Sequence, residues 1–395
     1  MKTIFIVLDG LGDEEIPAFK NKTPLEAAET PNLDKWAEEG KLGLLFPVFK
    51  GALPTSEEGH FSLFGYDPYE YKLSRGLVTA SGAGISIEKK EGEDAVFLRG
   101  NFGTVEDGKV LDRRAGRVKD PAPLIEEIDG IEIDGVSFEI KSAKEHRVGI
   151  AMRGKGLSAD ISDGDPHYGE GEEGIKPVKP LDDSEEAKKT AEVLNKFLEE
   201  THQILSKHSF NEKRSLPANY ILTRGSSKLI EFPPFKKKYD KKAACIAGKV
   251  LYKQVGRLLG MDVLEVEGAN GLPTTNLKGK FKRAREAILS DYDFVFVHVK
   301  ATDSLAEDGD FWTKKEFIER IDRNLEIFNE FTETIVVTSD HSTCSLMASH
   351  CQEDIPLLVK GQGQDKTRYF SEKECLKGSL GKIDQRKLLE LIFKN

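Results

Sequence analysis

The chain has 395 residues, of which 38% are hydrophobic and 32% charged, and its formal net charge at pH 7 is -10. This length exceeds what one hydrophobic core usually serves, so we expect two domains. The negative charge argues against a general nucleic-acid binder, and no apolar run approaches the roughly 20 residues of a membrane span. Four cysteines in so long a chain do not make a disulfide scaffold.

The apolar stretch after Lys2 is too short for a signal peptide, because Asp9 ends it after six residues. We therefore expect a cytoplasmic protein that acts on a small molecule, with neither nucleic acid nor membrane as a partner. The oligomeric state is not predicted.

The chain opens with a predicted strand at residues 3–8, followed by a loop and helices. Residues 23–26 form a capping-box pattern with proline at the first helical position, and a further helical run begins at Thr30 and ends at Gly40. A short apolar helix is predicted at residues 61–64.

After residue 68 the pattern changes to short β-prone segments between glycines and charges, which favours an antiparallel sheet. The predicted strands cover residues 84–87, 95–98, 131–133, 136–140 and 147–150. A long amphipathic helix is predicted after Ser184, with Ala187, Leu194 and Leu205 on its apolar stripe.

Strand–helix alternation resumes after a linker of prolines and lysines near residue 235. Helices are predicted at 242–259, 275–289 and 313–328, and strands at 262–266, 294–299, 334–338 and 355–359. The pattern predicts an α/β fold in which residues 1–70 and 235–395 form a parallel-sheet core. Residues 71–234 are the predicted inserted α+β domain.

Three acidic residues each follow a β-prone apolar run, namely Asp9, Asp303 and Asp340. Parallel strands would bring these carboxylates to one edge of the sheet, where open α/β folds build their sites. His341 and His350 follow the third run. An Asp-His pair at the end of a buried strand is seldom structural, because unpaired buried polar groups are costly. The pattern predicts a divalent-metal site.

Ser56 lies in a loop just before the predicted helix 61–64. A hydroxyl at a helix N-terminus suits a nucleophile that accepts a phosphoryl group. The alternative is that Thr55 or Ser56 simply caps the helix, and the local pattern alone favours this alternative.

Arginines beside glycines and turns are frequent in the insert: Arg75, Arg99, Arg113, Arg114, Arg117, Arg153 and Arg224. The guanidinium fork matches phosphate and carboxylate oxygens, so an anion site and a solvated loop are both open. Asp163, Asp165 and His167 provide either general acid/base groups or an ordinary turn. The residues alone favour the turn.

Cys344 and Cys351 alternate with His341 and His350, which could suggest a zinc site. The spacing fits no common zinc pattern. We therefore predict that both cysteines are ordinary small core residues.

Taken together, these segments resemble the archaeal-type cofactor-independent phosphoglycerate mutases of the alkaline phosphatase superfamily. The resemblance runs over nearly the whole chain, and the most specific matches are at residues 7–10, 22–28, 30–34, 55–68, 112–117, 161–167, 216–220, 256–262, 298–303 and 339–343. So many ordered matches are far more specific than any single motif. The resemblance implies an alkaline-phosphatase-like core with an inserted α+β domain.

The implied activity is the interconversion of 3-phosphoglycerate and 2-phosphoglycerate in glycolysis and gluconeogenesis, without 2,3-bisphosphoglycerate. Ser56 would carry the phosphoryl group, and two divalent ions, Mn²⁺ or Mg²⁺, would hold the site. By resemblance, one ion would be bound by Asp9, Ser56, Asp340 and His341, and the other by Asp303 and His350.

The resemblance also implies which groups hold the substrate. Asp163, Asp165 and His167 would be catalytic. The implied substrate contacts are His60, Arg99, Arg113, Arg114, Arg117, Arg224 and Lys300.

The chain departs from the family pattern at Glu307, where the family has a histidine ligand four residues after Asp303. A carboxylate can replace it as a ligand and favours hard ions over zinc, but it adds negative charge beside an anionic substrate. Two alternatives therefore remain: a related metal-dependent phosphotransferase or phosphatase, such as the homoserine kinase-like proteins, and a catalytically impaired binding protein.

Overall fold

A computed structural model describes residues 1–46, 55–71, 74–87, 91–166 and 174–394. The chain divides into two compact units. Residues 1–71 and 232–395 form the first, which we call the core unit, and residues 72–231 form the second, which we call the insert. That the core unit binds metal and the insert holds substrate stays a prediction.

The strands are β1 (Thr3–Leu8), β2 (Gly40–Phe46), β3 (Asp94–Glu106), β4 (Lys109–Asp112), β5 (Glu132–Ile133), β6 (Val136–Lys144), β7 (Arg147–Gly154), β8 (Tyr220–Lys228), β9 (Ala243–Ile246), β10 (Asp262–Val263), β11 (Phe294–Val299), β12 (Thr334–Thr338), β13 (Ser342–Cys344), β14 (Ser349–Cys351), β15 (Ile355–Lys360) and β16 (Gly381–Asp384). 

The α-helices are α1 (Pro24–Ala27), α2 (Pro31–Glu38), α3 (Ser56–Leu63), α4 (Arg75–Gly82), α5 (Ala122–Glu126), α6 (Glu185–Ser206), α7 (Phe235–Tyr239), α8 (Val250–Leu258), α9 (Leu277–Leu289), α10 (Ala301–Glu307), α11 (Phe311–Leu325), α12 (Glu372–Cys375) and α13 (Leu388–Lys394). Short 3₁₀ turns cover Pro17–Phe19, Ser209–Asn211, Glu326–Phe328 and Gln385–Lys387. Within the described ranges, no helix combines the length and the apolar character needed to cross a membrane.

Among the described residues of the core unit, eight strands form one sheet in the order β10-β9-β11-β1-β12-β15-β2-β16. The strands from β10 to β12 run parallel to one another, whereas β15 is antiparallel to both of its neighbours. Every residue of β1, β11 and β12 is buried, as expected for parallel strands covered on both faces. The predicted α/β fold class is confirmed.

The insert is built on an antiparallel sheet in the order β4-β3-β7-β6-β5, with β8 paired to β3. Helix α6 supplies Leu194, Phe197 and Leu198 to its hydrophobic core. The ring of Phe197 stacks on that of Phe138 in β6, with 3.9 Å between the centroids. The antiparallel sheet and the long helix predicted for this part of the chain are both confirmed.

Three predictions of secondary structure are wrong. Residues 56–60, predicted as part of a loop before a helix at 61–64, already belong to α3. Residues 84–87 form no strand, because Gly84 turns the chain at the end of α4 with a φ of +85°. Residues 242–259 are not one helix but contain β9 before α8. A short buried apolar run fits a strand or a helix equally well, so periodicity could not separate them.

Cys344 and Cys351 form a disulfide across the hairpin of β13 and β14. Both residues are buried, as predicted, but the prediction that they are ordinary core residues is wrong. The hairpin pairs Cys344 with Ser349 and Cys351 with Ser342, so the bridge runs diagonally across it, with 5.7 Å between the two Cα atoms. Cys245 and Cys375 are free and buried.

Replacing both bridged cysteines, as Cys344→Ser with Cys351→Ser, is expected to lower the free energy of unfolding by about 2 to 3 kcal/mol. The reason is that a short disulfide loop restricts the unfolded chain. Denaturant unfolding of the oxidised protein measures the change. With a dithiol reductant present, wild type and variant should converge, and an unchanged wild-type midpoint on reduction would contradict the expectation.

Candidate active site

The carboxylates predicted at strand ends meet at one edge of the core sheet. Asp9 follows β1, Asp340 and His341 follow β12, and Asp303 lies in the first turn of α10, directly after β11. These three strands are neighbours, with β1 in the middle. The side chains of all four residues are fully buried. The edge of the sheet therefore collects a set of metal-ligand types inside the protein.

The donor atoms form two neighbouring sets. Nε2 of His341 lies 3.5 Å from Oδ1 of Asp9 and 3.2 Å from Oδ2 of Asp340. Nε2 of His350 lies 3.6 Å from Oδ1 of Asp303, and the rings of His350 and His341 are stacked 3.6 Å apart. The first set consists of Asp9, Asp340 and His341, and the second of Asp303, His341 and His350. Within each set the donor atoms lie within 4.8 Å of one another. The two sets share His341.

Gly10 permits the close packing of these loops. A Cβ atom at this position would lie 2.5 Å from Oγ1 of Thr343 and 2.7 Å from Cβ of Asp303, and φ is +64°. Only glycine, which has no Cβ atom and readily adopts a positive φ, fits this position without displacing its neighbours. Oγ1 of Thr343 in turn donates a hydrogen bond to Oδ1 of Asp303 at 2.6 Å.

Ser56 is the first residue of α3, and Thr55 caps the helix. The Thr55 hydroxyl accepts the N–H of Glu58, while the Glu58 carboxylate accepts the N–H of Thr55. Because Thr55 performs the capping, the Ser56 hydroxyl is available for other contacts, and its Oγ lies 3.4 Å from Nε2 of His341. The helix thus places the Ser56 hydroxyl beside the donor sets.

Lys300 lies between the two sets, with Nζ 3.2 Å from Oδ1 of Asp9 and also bonded to the carboxylate of Asp303. Burial raises the pKa of Asp9, but the Lys300 ammonium and a hydrogen bond from His298 outweigh it and hold that pKa well below its usual value. Burial likewise lowers the pKa of Lys300, while Asp9 raises it further, so the lysine stays charged. Lys300, expected to contact substrate, is thus engaged with two carboxylates.

His60 was expected to contact substrate, and this expectation stays a prediction. Its side chain is fully buried, with Nδ1 2.7 Å from the carbonyl oxygen of Ser56 and 3.2 Å from Oδ2 of Asp340. Its ring packs against those of Tyr252 and His298. His60 therefore joins the start of α3 to the Asp340 loop from within the core.

Glu307 lies at the end of α10, one turn after Asp303, with a half-exposed side chain. Its Oε1 is 4.0 Å from Nε2 of His350. Burial and the nearby Asp303 raise the pKa of the Glu307 carboxyl. The residue therefore stands at the edge of the second donor set, where a ligand could reach an ion.

Replacing Glu307 by histidine, Glu307→His, is expected to leave activity unchanged or to raise it by up to about tenfold, because imidazole brings no negative charge toward an anionic substrate. The Mn²⁺ concentration that gives half-maximal activity measures the effect. Asp308→His, on the next position, which is also exposed, is the control. Complete loss of activity in Glu307→His would instead indicate a role specific to the carboxylate.

In the insert, Asp165 is fully buried and held by Arg113 through two hydrogen bonds of 2.8 Å. Nε of Arg224 lies 4.0 Å from Oδ2 of Asp165. Oδ1 of Asp163 accepts the N–H of Gly225 at 2.7 Å. The predicted turn thus combines with two of the predicted arginines into one charged network.

Several arginines of the insert act electrostatically on His146 or on its neighbour Arg147. Burial, Arg147 and Arg114 lower the pKa of His146 to about 4, so its imidazole is neutral at pH 7. The arginines whose charges act on His146 or on Arg147 are Arg75, Arg99, Arg114, Arg117 and Arg147. Such a concentration of guanidinium groups suits an anionic ligand. His167 lies outside the described residues.

Several residues at these sites were not found from the sequence. His146 and Arg147 lie at the start of a predicted strand, and His298 interrupts the apolar strand at 294–299. For His298 the sequence did hold a signal, because it is a single polar residue in an otherwise apolar strand. In the structure its Nε2 lies 2.9 Å from Oδ2 of Asp9. Burial lowers the pKa of His298 to about 3, so it is neutral.

The chemistry of the core site fits divalent cations. Within the described part of the chain, Asp9, Asp303 and Asp340 place three buried carboxylates against one lysine, Lys300. Oδ2 of Asp340 accepts no aligned hydrogen bond from the described residues. Buried negative charge of this kind needs compensation, which carboxylate and imidazole ligands obtain by binding a metal ion.

Comparisons with known proteins agree with this reading. The family model of the metalloenzyme superfamily matches residues 1–395. The chain is 43% identical to the 2,3-bisphosphoglycerate-independent phosphoglycerate mutase 1 of Methanocaldococcus jannaschii, with 99% of this chain and 96% of that protein covered. It is 40% identical to the corresponding protein of Archaeoglobus fulgidus, with 99% and 97% covered.

Two solved structures are similar over the full chain. A Pyrococcus horikoshii protein superposes with a TM-score of 0.83 at 32% identity, covering 100% of this chain and 96% of that one. The cofactor-independent phosphoglycerate mutase of Thermoplasma acidophilum gives 0.73 at 34% identity, covering 100% and 99%. The resemblance found in the sequence is confirmed: the chain belongs to the metalloenzyme superfamily and, within it, to the family of 2,3-bisphosphoglycerate-independent phosphoglycerate mutases.

Proposed function

We propose that the protein interconverts 3-phosphoglycerate and 2-phosphoglycerate through a phosphoserine at Ser56. The observation that carries this proposal is the position of the Ser56 hydroxyl, at the N-terminus of α3 and 3.4 Å from His341. A helix N-terminus favours the negative charge of a phosphoryl group. Membership of the mutase family supplies the substrate class.

In the proposed reaction, Oγ of Ser56 loses its proton and forms a bond to phosphorus as the bond from phosphorus to the 3-oxygen of the substrate breaks, and the 3-oxygen takes up a proton to become a hydroxyl. Glycerate stays bound. Its 2-hydroxyl then loses a proton and takes the phosphoryl group back as the bond from phosphorus to Oγ breaks, and Oγ takes up a proton. A covalent intermediate divides one difficult transfer between two oxygens of the same molecule into two simpler steps. No 2,3-bisphosphoglycerate is required.

We infer that the ions are two in number and are Mn²⁺ or Mg²⁺, since most of the donors are oxygen atoms. Ser56, Asp9, Asp340 and His341 would hold one ion, and Asp303 and His350 the other, with Glu307 beside it. When bound, such ions neutralise charge on the phosphoryl oxygens and favour the deprotonated serine. The Lys300 ammonium keeps the pKa of Asp9 low and contacts the carboxylates of both Asp9 and Asp303.

The arginines of the insert would bind the carboxylate and phosphate groups of the substrate. Arg113 is already oriented by Asp165 through its two hydrogen bonds, which leaves the position of its guanidinium fixed. A guanidinium held in this way loses little conformational freedom when an anion binds. Arg99, Arg114, Arg117 and Arg224 are the further predicted contacts, and Asp163, Asp165 and His167 the predicted catalytic turn.

The test is conversion of 3-phosphoglycerate to 2-phosphoglycerate by the purified protein with Mn²⁺ and without 2,3-bisphosphoglycerate. We expect turnover that a chelator removes and that Mn²⁺ or Mg²⁺ restores. Release of free phosphate from simple esters without mutase turnover would indicate a phosphatase or a kinase-like relative. Silence in both assays would indicate a binding protein.

A further inference from the structure

A fully buried ion pair joins the loops that carry the proposed metal ligands. Lys314 in α11 and Asp13 both have fully buried side chains, with 2.8 Å between Nζ and Oδ2. Nζ of Lys314 also donates to the carbonyl oxygens of Gly10, at 2.9 Å, and Thr343, at 3.1 Å. These three bonds use all three hydrogens of the ammonium group.

Asp13 extends the network into the disulfide-bonded hairpin. Its Oδ1 accepts the N–H of Ser345 at 2.9 Å, and its Oδ2 accepts the Ser345 hydroxyl at 2.5 Å. The carbonyl oxygen of Gly12 accepts the N–H of Thr343 at 3.0 Å. The loop after β1 and the strand β13 are thus fastened together at several points by one buried charge pair.

Each fastened segment carries a proposed ligand close to the pair. Gly10 is the residue after Asp9, and Thr343 is two residues after His341 and donates directly to the carboxylate of Asp303. A displacement of either segment would therefore change the separation of the donor atoms in both sets.

The ion pair is poorly explained by stability alone. Removing two charges from water costs several kcal/mol for each ion, and a well-packed apolar pair of the same volume is often equally stable or more so. A buried charge pair with fixed hydrogen-bond directions does, however, specify one arrangement of the three segments it joins. Because the pair lies beside the donor sets, the arrangement that it specifies also sets the positions of the proposed metal ligands.

We propose that Lys314 and Asp13 are positioning residues that hold the loop of Asp9 and the strand after His341 in the arrangement that binds divalent ions. The proposal rests on the metal assignment made above for the proposed function. The pair is not itself a metal site, because Asp13 is bound to Lys314 and the neighbouring sulfur of Cys344 is in the disulfide.

The test is the dissociation constant of Mn²⁺, measured on the full-length protein by the electron paramagnetic resonance signal of free Mn²⁺. Lys314→Met is expected to raise this constant by about tenfold or more, as loss of an outer partner of a metal site does. Asp13→Asn keeps the size of the side chain and is expected to raise it by a smaller factor. The KM for 3-phosphoglycerate at saturating Mn²⁺ should stay near that of the wild type.

The matched control is Asp322→Asn on the same helix. The buried Asp322 side chain accepts the N–H groups of Leu33, at 2.8 Å, and Asn32, at 3.2 Å, in the first turn of α2. This variant is expected to lower the melting temperature while leaving the Mn²⁺ constant within about twofold of the wild type. It separates loss of stability from loss of positioning.

The outcomes are distinguishable from failure of the proposed function. Wild-type Mn²⁺ affinity in both Lys314→Met and Asp13→Asn would overturn the positioning role alone, as would an equal loss in Asp322→Asn. If Lys314→Met does not fold, Asp13→Asn decides by the same criterion. A wild type that binds no Mn²⁺ would overturn both proposals. Lys314-dependent Mn²⁺ binding without mutase turnover would overturn the proposed reaction only.

Discussion

Ser56→Ala is expected to lower the rate of phosphoryl transfer by roughly four orders of magnitude or more, which is the scale on which enzymes lose activity with their nucleophile. The substitution removes the only atom of this side chain that can bond to phosphorus. Mutase turnover and the mass of the protein after incubation with 3-phosphoglycerate measure it. The phosphorylated species should be present in wild type and absent in the variant.

Ser62→Ala provides the matched control. Ser62 lies on the same helix, and its hydroxyl donates to the carbonyl oxygen of Glu58 at 2.7 Å instead of facing the donor sets. It removes the same atom from the same helix and should keep activity within a few-fold of the wild type. Near-normal turnover in Ser56→Ala would contradict the nucleophile assignment, whatever Ser62→Ala shows.

Asp340→Asn is expected to reduce mutase activity by at least about 10³-fold, because charge stabilisation by a metal ion contributes several kcal/mol to such reactions. The amide keeps the shape of the carboxylate but removes the charge that His60 and His341 face at 3.2 Å. Unlike Ser56→Ala, this variant should also bind Mn²⁺ weakly. Turnover at increasing Mn²⁺ and the metal content of the protein measure the two effects.

Asp365→Asn is the control for this variant. The Asp365 carboxylate accepts the N–H groups of Leu42 and Ser379, so it stabilises local structure without contacting the donor sets. It should keep normal Mn²⁺ affinity and turnover even where its melting temperature falls. An Asp340→Asn protein with wild-type metal content and rate would remove Asp340 from the proposed site.

The sequence by itself predicted the features that depend on local pattern. Runs of apolar β-prone residues predicted β1, β11 and β12, and the acidic residue after each run predicted the edge at which Asp9, Asp303 and Asp340 meet. This works because burial on both faces leaves a continuous apolar signature, and parallel strands share the edge at which they end. The ordered motifs of the family were also readable without a structure.

Other features were decided only by the tertiary structure. Whether Thr55 or Ser56 caps α3, which groups the His60 ring contacts, and whether Cys344 bonds to Cys351 each depend on what packs nearby. The pair of Lys314 and Asp13 joins residues 301 positions apart and leaves no local signal. Hydrophobic periodicity records which side of an element is buried, but not which partner it is buried against, and partners are chosen by packing and charge in the folded chain.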